Sequence, residues 1–153
     1  MRWAAGFDEL EVGEEFATLQ RTVTEDDVMA FAALTGDMHP QHTDADWAAG
    51  GLFGERIAHG MLVLSYAVGL APLDPDRVLA LRRLGEVVFK RPVRLGDAVH
   101  VRGSVLGLRA ISEDAGLVSC RWEIVNQRGE LCARAEVDVV WRRDTVAAEA
   151  ARC

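Results

Sequence analysis

Apolar and polar positions change period once along this chain, at about residue 72. Before that point most apolar residues recur at helical spacing; beyond it they alternate with polar ones, as strands do. Glu14 to Val23, with Phe16, Thr18 and Thr22, departs from the helical half and predicts a first short strand. Thr24 reads as a helix N-cap. Asp27 follows three residues on in a capping-box position, and Glu25 and Asp26 suit the positive end of the helix dipole. Val28, Phe31, Ala32 and Thr35 share one face of the helix that follows, which should end near Gly36. Residues 37–57 keep neither period and predict a loop-rich excursion, with one helical turn over Asp44 to Gly50. From about His59 to Leu70, Met61, Leu62, Val63, Leu64, Tyr66, Ala67, Val68 and Leu70 make a helix apolar nearly all round, the mark of a buried helix. Pro72 and Pro75 stop it.

The second half predicts four strands. Val87, Phe89, Arg91 and Val93 alternate with Val88 and Lys90; Val99, Val101 and Val105 alternate with His100, Arg102 and Ser104. Val118, Cys120, Trp122 and Ile124 alternate with Ser119, Arg121 and Glu123. Leu131, Ala133, Ala135, Val137, Val139 and Trp141 alternate with Cys132, Arg134, Glu136 and Asp138. Asn126-Gln127-Arg128-Gly129 joins the last two as a hairpin turn. The Ala-rich tail after Arg143 is expected to fray. The class is therefore α+β: one antiparallel sheet of about five strands around one apolar helix. It is expected as a single domain over residues 1–153, with a core of about 8–142. Such a sheet leaves edges, and pairing edge to edge in a symmetric dimer, one sheet running across the two-fold axis, would cover them.

Composition narrows the partners. The 153 residues suffice for one domain with a real core. A formal charge of −7 argues against nucleic acid. No apolar run of about 18 residues predicts a membrane span. Met1 to Asp8 has no apolar core and does not read as a secretory signal, so a cytoplasmic location is the default expectation. Cys120, Cys132 and Cys153, odd in number and without a CxxC, predict neither a disulfide framework nor a zinc ribbon.

The chemistry concentrates in Gly36-Asp37-Met38-His39-Pro40-Gln41-His42 and His59-Gly60-Met61. Pro40 pushes His39 toward an extended conformation and breaks any continuous helix, so Asp37 and His42 can fold back toward one point. A carboxylate and an imidazole on one water make an acid/base pair. The alternative is a loop whose Asp and His satisfy local backbone groups. A metal reading exists too: His39 and His42, with Asp37 and Asp44, have zinc-like composition, but Pro40 restricts the loop and no cysteine is near. His59 reads as a helix-start residue bonded to the loop. Ser65 either faces a ligand or bonds the carbonyl four residues back. Lys90, Arg91 and Arg94, with Arg82 and Arg83, form the densest basic stretch, suited to an anionic carrier or to a solvated strand face.

Taken together, Phe31-Ala-Ala-Leu-Thr-Gly-Asp37-x-x-Pro40-x-His42, Phe53-Gly-Glu-Arg-Ile57-Ala-His59-Gly60-Met61 and Phe89-Lys-Arg-Pro92-Val93-x-x-Gly96-Asp97 resemble the MaoC-like (R)-specific enoyl-CoA hydratases over roughly residues 8–142. The resemblance implies a hot-dog fold and a dimer. It implies addition of water to a trans-2-enoyl thioester, or the reverse dehydration, with Asp37 and His42 as the catalytic pair. The helix starting at His59-Gly60 would aim its N-terminus at the thioester carbonyl, with Gly60 and Met61 as oxyanion donors and His59 and Ser65 beside the substrate. The substrate would be an acyl-CoA or an acyl carrier protein thioester, with Lys90, Arg91 and Arg94 as possible phosphate contacts and no cofactor or metal. The family usually has Asn at the position of His39, where it braces the catalytic loop with Pro40. A His can brace the loop too, add a titrating group, or mark a different substrate. A hot-dog thioesterase and a non-catalytic acyl-binding subunit are the alternatives.

Overall fold

The computed structural model describes residues 1–144; the segment 145–153, with most of the expected frayed tail and Cys153, lies outside the described residues. Six long elements organise it. Helix α1 runs Glu25–Thr35 and helix α4 Gly60–Leu70, and between them lie two short helices, α2 (Pro40–Thr43) and α3 (Ala45–Ala49). The strands are β1 (Glu15–Ala17), β2 (Arg21–Thr22), β3 (Val78–Phe89), β4 (Ala98–Ala110), β5 (Ala115–Asn126) and β6 (Leu131–Arg142). All pair antiparallel in the order β1-β4-β5-β6-β3, with β2 also on β4. The expected first strand is thus split in two along one edge, so six strands fill five positions.

Helix α4 packs on the inner face of the sheet. Leu62, Val63, Tyr66 and Ala67 join Val99, Val101, Trp122, Ile124, Ala135, Val137 and Val139 in one buried cluster. The all-round apolar helix is not wholly covered: Met61, Ser65 and Gly69 form an exposed stripe at four-residue spacing. The outer face carries cross-strand charges instead. Glu123 lies opposite Arg134 and Arg121 opposite Glu136. Arg83 and Ser119 both donate to Asp138 at 2.8 Å. Burial pushes the Asp138 carboxyl up, yet these two bonds and the arginine charge leave it below its ordinary value.

Three expectations are corrected. The excursion 37–57 holds the turn expected over Asp44 to Gly50, as α3, whose Asp44 carboxylate caps it by accepting Trp47 N–H at 2.9 Å, but also a second helix, α2, which Pro40 starts. The strand expected over Val87–Val93 starts nine residues earlier, at Val78, and ends at Phe89. Its pairing with β6 slips at three places, and Glu86 takes φ +49°, so its side chains do not keep period two. Cys132, placed by alternation on the polar row, is buried.

Candidate active site

Gly36, at φ +79°, ends α1 in the left-handed region and turns the chain so that Asp37 leads into α2. His42 sits in that four-residue helix. The Ile57–Ala58 segment is pinned to the other side, Ala58 N–H donating to Val93 O at 2.8 Å and Ile57 bridging Arg94. This holds the Ile57 carbonyl in place, and His42 Nδ1 lies 2.7 Å from it. A carbonyl only accepts, so Nδ1 carries the proton and Nε2 keeps its lone pair. Burial, reinforced by the neighbouring His59 and His39, lowers the His42 pKa from 6.5 against the opposing pull of the Ile57 bond and Asp37.

His59 stands directly behind. It is buried, its ring stacks on His42 with centroids 3.9 Å apart, and its Nε2–H donates to the Asp37 carbonyl at 3.0 Å. Phe31 packs against its other flank at 5.1 Å. His59 thus ties α4 to the Asp37 loop. It is also the N-cap residue of α4, but it makes no side-chain cap bond, so the first-turn N–H groups of α4 remain available.

These parts line one cavity of about 360 Å³, together with Phe53, Ile57, Gly60, Met61, Val63, Phe89, Lys90, Arg91, Cys132 and Ala133 among others. The structure brings Asp37, His42, His59, Gly60, Met61, Lys90 and Arg91 together there. Other candidates lie elsewhere. Ser65 does not line the cavity, and its hydroxyl donates to Met61 O at 2.8 Å. Arg94 does not line it; it ion-pairs with Glu55 and reaches the Phe53 carbonyl, fastening the loop. Arg83 is held on the outer face by Asp138, and Arg82 is exposed on β3. Pro40 opens α2, and His39 caps it.

Phe89, Phe53, Cys132 and Ala133 received no role from the sequence. Phe89 and Phe53 stand in the quoted motifs, but nothing local shows that they line one cavity. Lys90 and Arg91 N–H groups both donate to Cys132 O, at 2.7 and 3.1 Å, which brings the end of β3 and the start of β6 to one wall. The Phe89 ring lies against Gly60 so closely that a Cβ there would stand 2.7 Å from it.

Among the described residues, Asp37, His42 and His59 can offer ligand atoms within 4.8 Å of one another. Their orientation suits a metal poorly. The two imidazoles are stacked, 29° from parallel, so their lone pairs do not converge, and one nitrogen of each is engaged with a carbonyl. The other zinc-like set is dispersed: His39 Nδ1 accepts Gln41 N–H and Asp44 caps α3.

The model for the MaoC-like domain matches residues 8–121. The chain is 39% identical over 99 residues to Protein MaoC of Klebsiella aerogenes, covering 63% of this chain and 29% of that one, so it spans under a third of that relative's length. To the (R)-specific enoyl-CoA hydratase of Aeromonas caviae it is 35% identical over 130 residues, covering 85% and 94% of the two chains. The crystal structure of a MaoC-like dehydratase from Rhodospirillum rubrum superposes with a TM-score of 0.83 at 28% identity over 94% of this chain and 100% of that one. A Mycobacterium tuberculosis protein with a double hot-dog fold matches at a TM-score of 0.83 and 24% identity, covering 92% and 44%. The sheet wrapped around α4 is a hot-dog fold.

Proposed function

This chain belongs to the MaoC-like domain family, and from its cavity we propose that it is a hydratase/dehydratase of acyl thioesters. It adds water to a trans-2-enoyl thioester to give the (R)-3-hydroxyacyl thioester, or runs the reverse. The observation that carries the reading is the His42 Nδ1 bond to Ile57 O, which leaves the Nε2 lone pair free beside Asp37 and the uncapped start of α4.

The reaction needs a base for water, an acid for C2, and stabilisation of charge on the thioester oxygen. His42 Nε2 takes a proton from the water that Asp37 orients. The water oxygen bonds to C3, and the electrons of the double bond move toward the thioester carbonyl. The N–H groups of Gly60 and Met61 meet the developing oxyanion. The dyad then returns the proton to C2. Every part is a group of the chain itself, so the reading calls for no resident cofactor or metal. Lys90 and Arg91 at the wall favour an anionic CoA or phosphopantetheine carrier. The exposed Leu79, Leu81 and Leu84 on the edge strand β3 favour burial against a second copy in a homodimer.

Crotonyl-CoA is the test substrate. Loss of enoyl absorbance without release of free CoA is expected. Release of CoA without hydration would mean a thioesterase, and no change with any enoyl thioester would mean an acyl-binding protein.

A further inference from the structure

His39 stands one residue before α2, the helix that carries His42, with φ −55° and ψ 131°. Its Nδ1 accepts the N–H of Gln41 at 3.1 Å. That is the bond a carboxamide or hydroxyl oxygen makes at a helix N-cap, here made by an imidazole. An imidazole accepts at Nδ1 only while neutral and protonated at Nε2. The bond is therefore conditional, as an Asn cap would not be.

We propose that His39 is a positioning residue for His42, and that its Nε2–H tautomer must be present for the site to hold its shape. The catalytic part of this inference rests on the hydratase reading; the cap itself does not. Helix α2 has four residues, so the Gln41 N–H is a large share of its first-turn donors. Beyond the cap, Gln41 Nε2–H donates to Glu55 O at 3.1 Å and Gln41 O accepts Ile57 N–H at 3.3 Å. The capped residue is thus bonded to the segment whose carbonyl orients His42. When His39 takes a proton, its Nδ1–H faces the Gln41 N–H, the cap is lost, and the register between α2 and Ile57 loosens. The titratable groups facing His39 are the Asp37 carboxylate, which accepts His39 N–H at 3.4 Å, and the His42 ring at 6.2 Å. Helix α3 presents the uncharged Trp47 indole edge-on at 5.5 Å.

Two measurements test this. In ¹⁵N-labelled protein, the His39 imidazole should be neutral at pH 8 with its proton on Nε2, and the Gln41 amide should shift on acidification in wild type but far less in His39→Asn. A proton on Nδ1 at pH 8, or equal shifts in both proteins, overturns the cap. In the second, kcat/KM for the turned-over enoyl thioester is followed from pH 8 down to pH 5. Wild type should approach a slope of two on the acid side, because both His42 and His39 must be neutral. His39→Asn should approach a slope of one while keeping most activity at pH 8. His39→Ala should lose about ten- to a hundredfold at every pH, the cost of a misplaced catalytic group. Equal slopes in wild type and His39→Asn, or full activity in His39→Ala, overturn the positioning role. If no enoyl thioester is turned over, the hydratase reading fails by itself, and the tautomer and the Gln41 amide still decide the cap.

Discussion

Helices α1 and α4 have eleven residues each and end their first turns in opposite ways. At the start of α1, Thr24 Oγ1 accepts Asp27 N–H and the Asp27 carboxylate accepts Thr24 N–H, both at 3.1 Å, while Arg21 pairs with the same carboxylate. The bond from the Thr24 hydroxyl is the largest influence in drawing the Asp27 pKa down to about 2. At the start of α4 there is no capping side chain and no acid in the first turn. Its donors face a cavity shared with Asp37 and His42. A closed N-terminus serves stability, and an open one beside acid/base groups is free for a ligand's oxygen. Substitutions at the two ends should therefore separate activity from folding.

The largest effects belong to the open end. Asp37→Asn and His42→Ala should each lower kcat by on the order of 10²–10⁴-fold with little change in melting temperature. Combined, they should cost little more than the worse single variant, because they act as a unit. Since the His42 pKa is lowered from 6.5, the folded protein keeps the base neutral below that pH, and in His39→Asn, where His42 alone sets the acid limb of kcat/KM, that limb should lie below 6.5. A limb above 6.5, or near-normal turnover by either folded variant, would remove His42 from this role.

Gly60→Ala comes next. The new methyl would stand 2.7 Å from the Phe89 ring, a wall of the cavity, which must shift. We expect a loss of at least about tenfold in kcat/KM, the scale of a misplaced substrate. Adding Phe89→Ala should restore part of it. No recovery in the double variant would mean that the methyl itself, rather than the displaced ring, blocks the α4 N–H groups.

These two ends were not equally legible in the sequence. The α1 cap depends on residues three apart, so Thr24 and Asp27 announced it. The β6 pattern was likewise local, and its predicted span Leu131–Trp141 differs from the strand by one residue. The Pro40 break showed that Asp37 and His42 can approach each other. Their protonation was not legible, because it is decided by the Ile57 carbonyl, fifteen residues beyond His42. The stacking of His59 on His42 likewise depends on how α4 meets the loop. The first half of β3 escaped notice for another reason: its bulges spoil the alternation by which strands are recognised.

At the closed end the effect should be on folding. Thr24→Ala removes the cap and should cost about 1 kcal/mol, or a fall of about 2–4 °C in melting temperature for a chain of this size, with kcat within about twofold of wild type. The same cap should fail in acid. The folded Asp27 pKa, about 2, lies below its ordinary 3.8, so its stabilising contribution is complete above 3.8 and disappears as the pH falls through about 2. The stability gap between wild type and Thr24→Ala should therefore narrow from pH 5 to pH 2. A constant gap would show that the hydroxyl acts without the carboxylate.

The smallest expected effect is none, and it concerns metal. If the uncapped start of α4 supplies the stabilisation of charge, chelation has nothing to remove. The stacked His42 and His59 rings support the same expectation, because two nearly parallel imidazoles cannot both direct a lone pair at one tetrahedral ion without breaking their bonds to Ile57 and Asp37. Prolonged EDTA treatment should leave both rate and melting temperature unchanged, and elemental analysis should find no stoichiometric zinc. His39→Asn should be equally indifferent to EDTA, since His39 Nδ1 is engaged by Gln41 rather than offered as a ligand. Loss of activity on chelation, restored by zinc, would mean that the rings unstack to hold an ion. The open helix end would then be secondary, while the capped α1 and the sheet would stand as described.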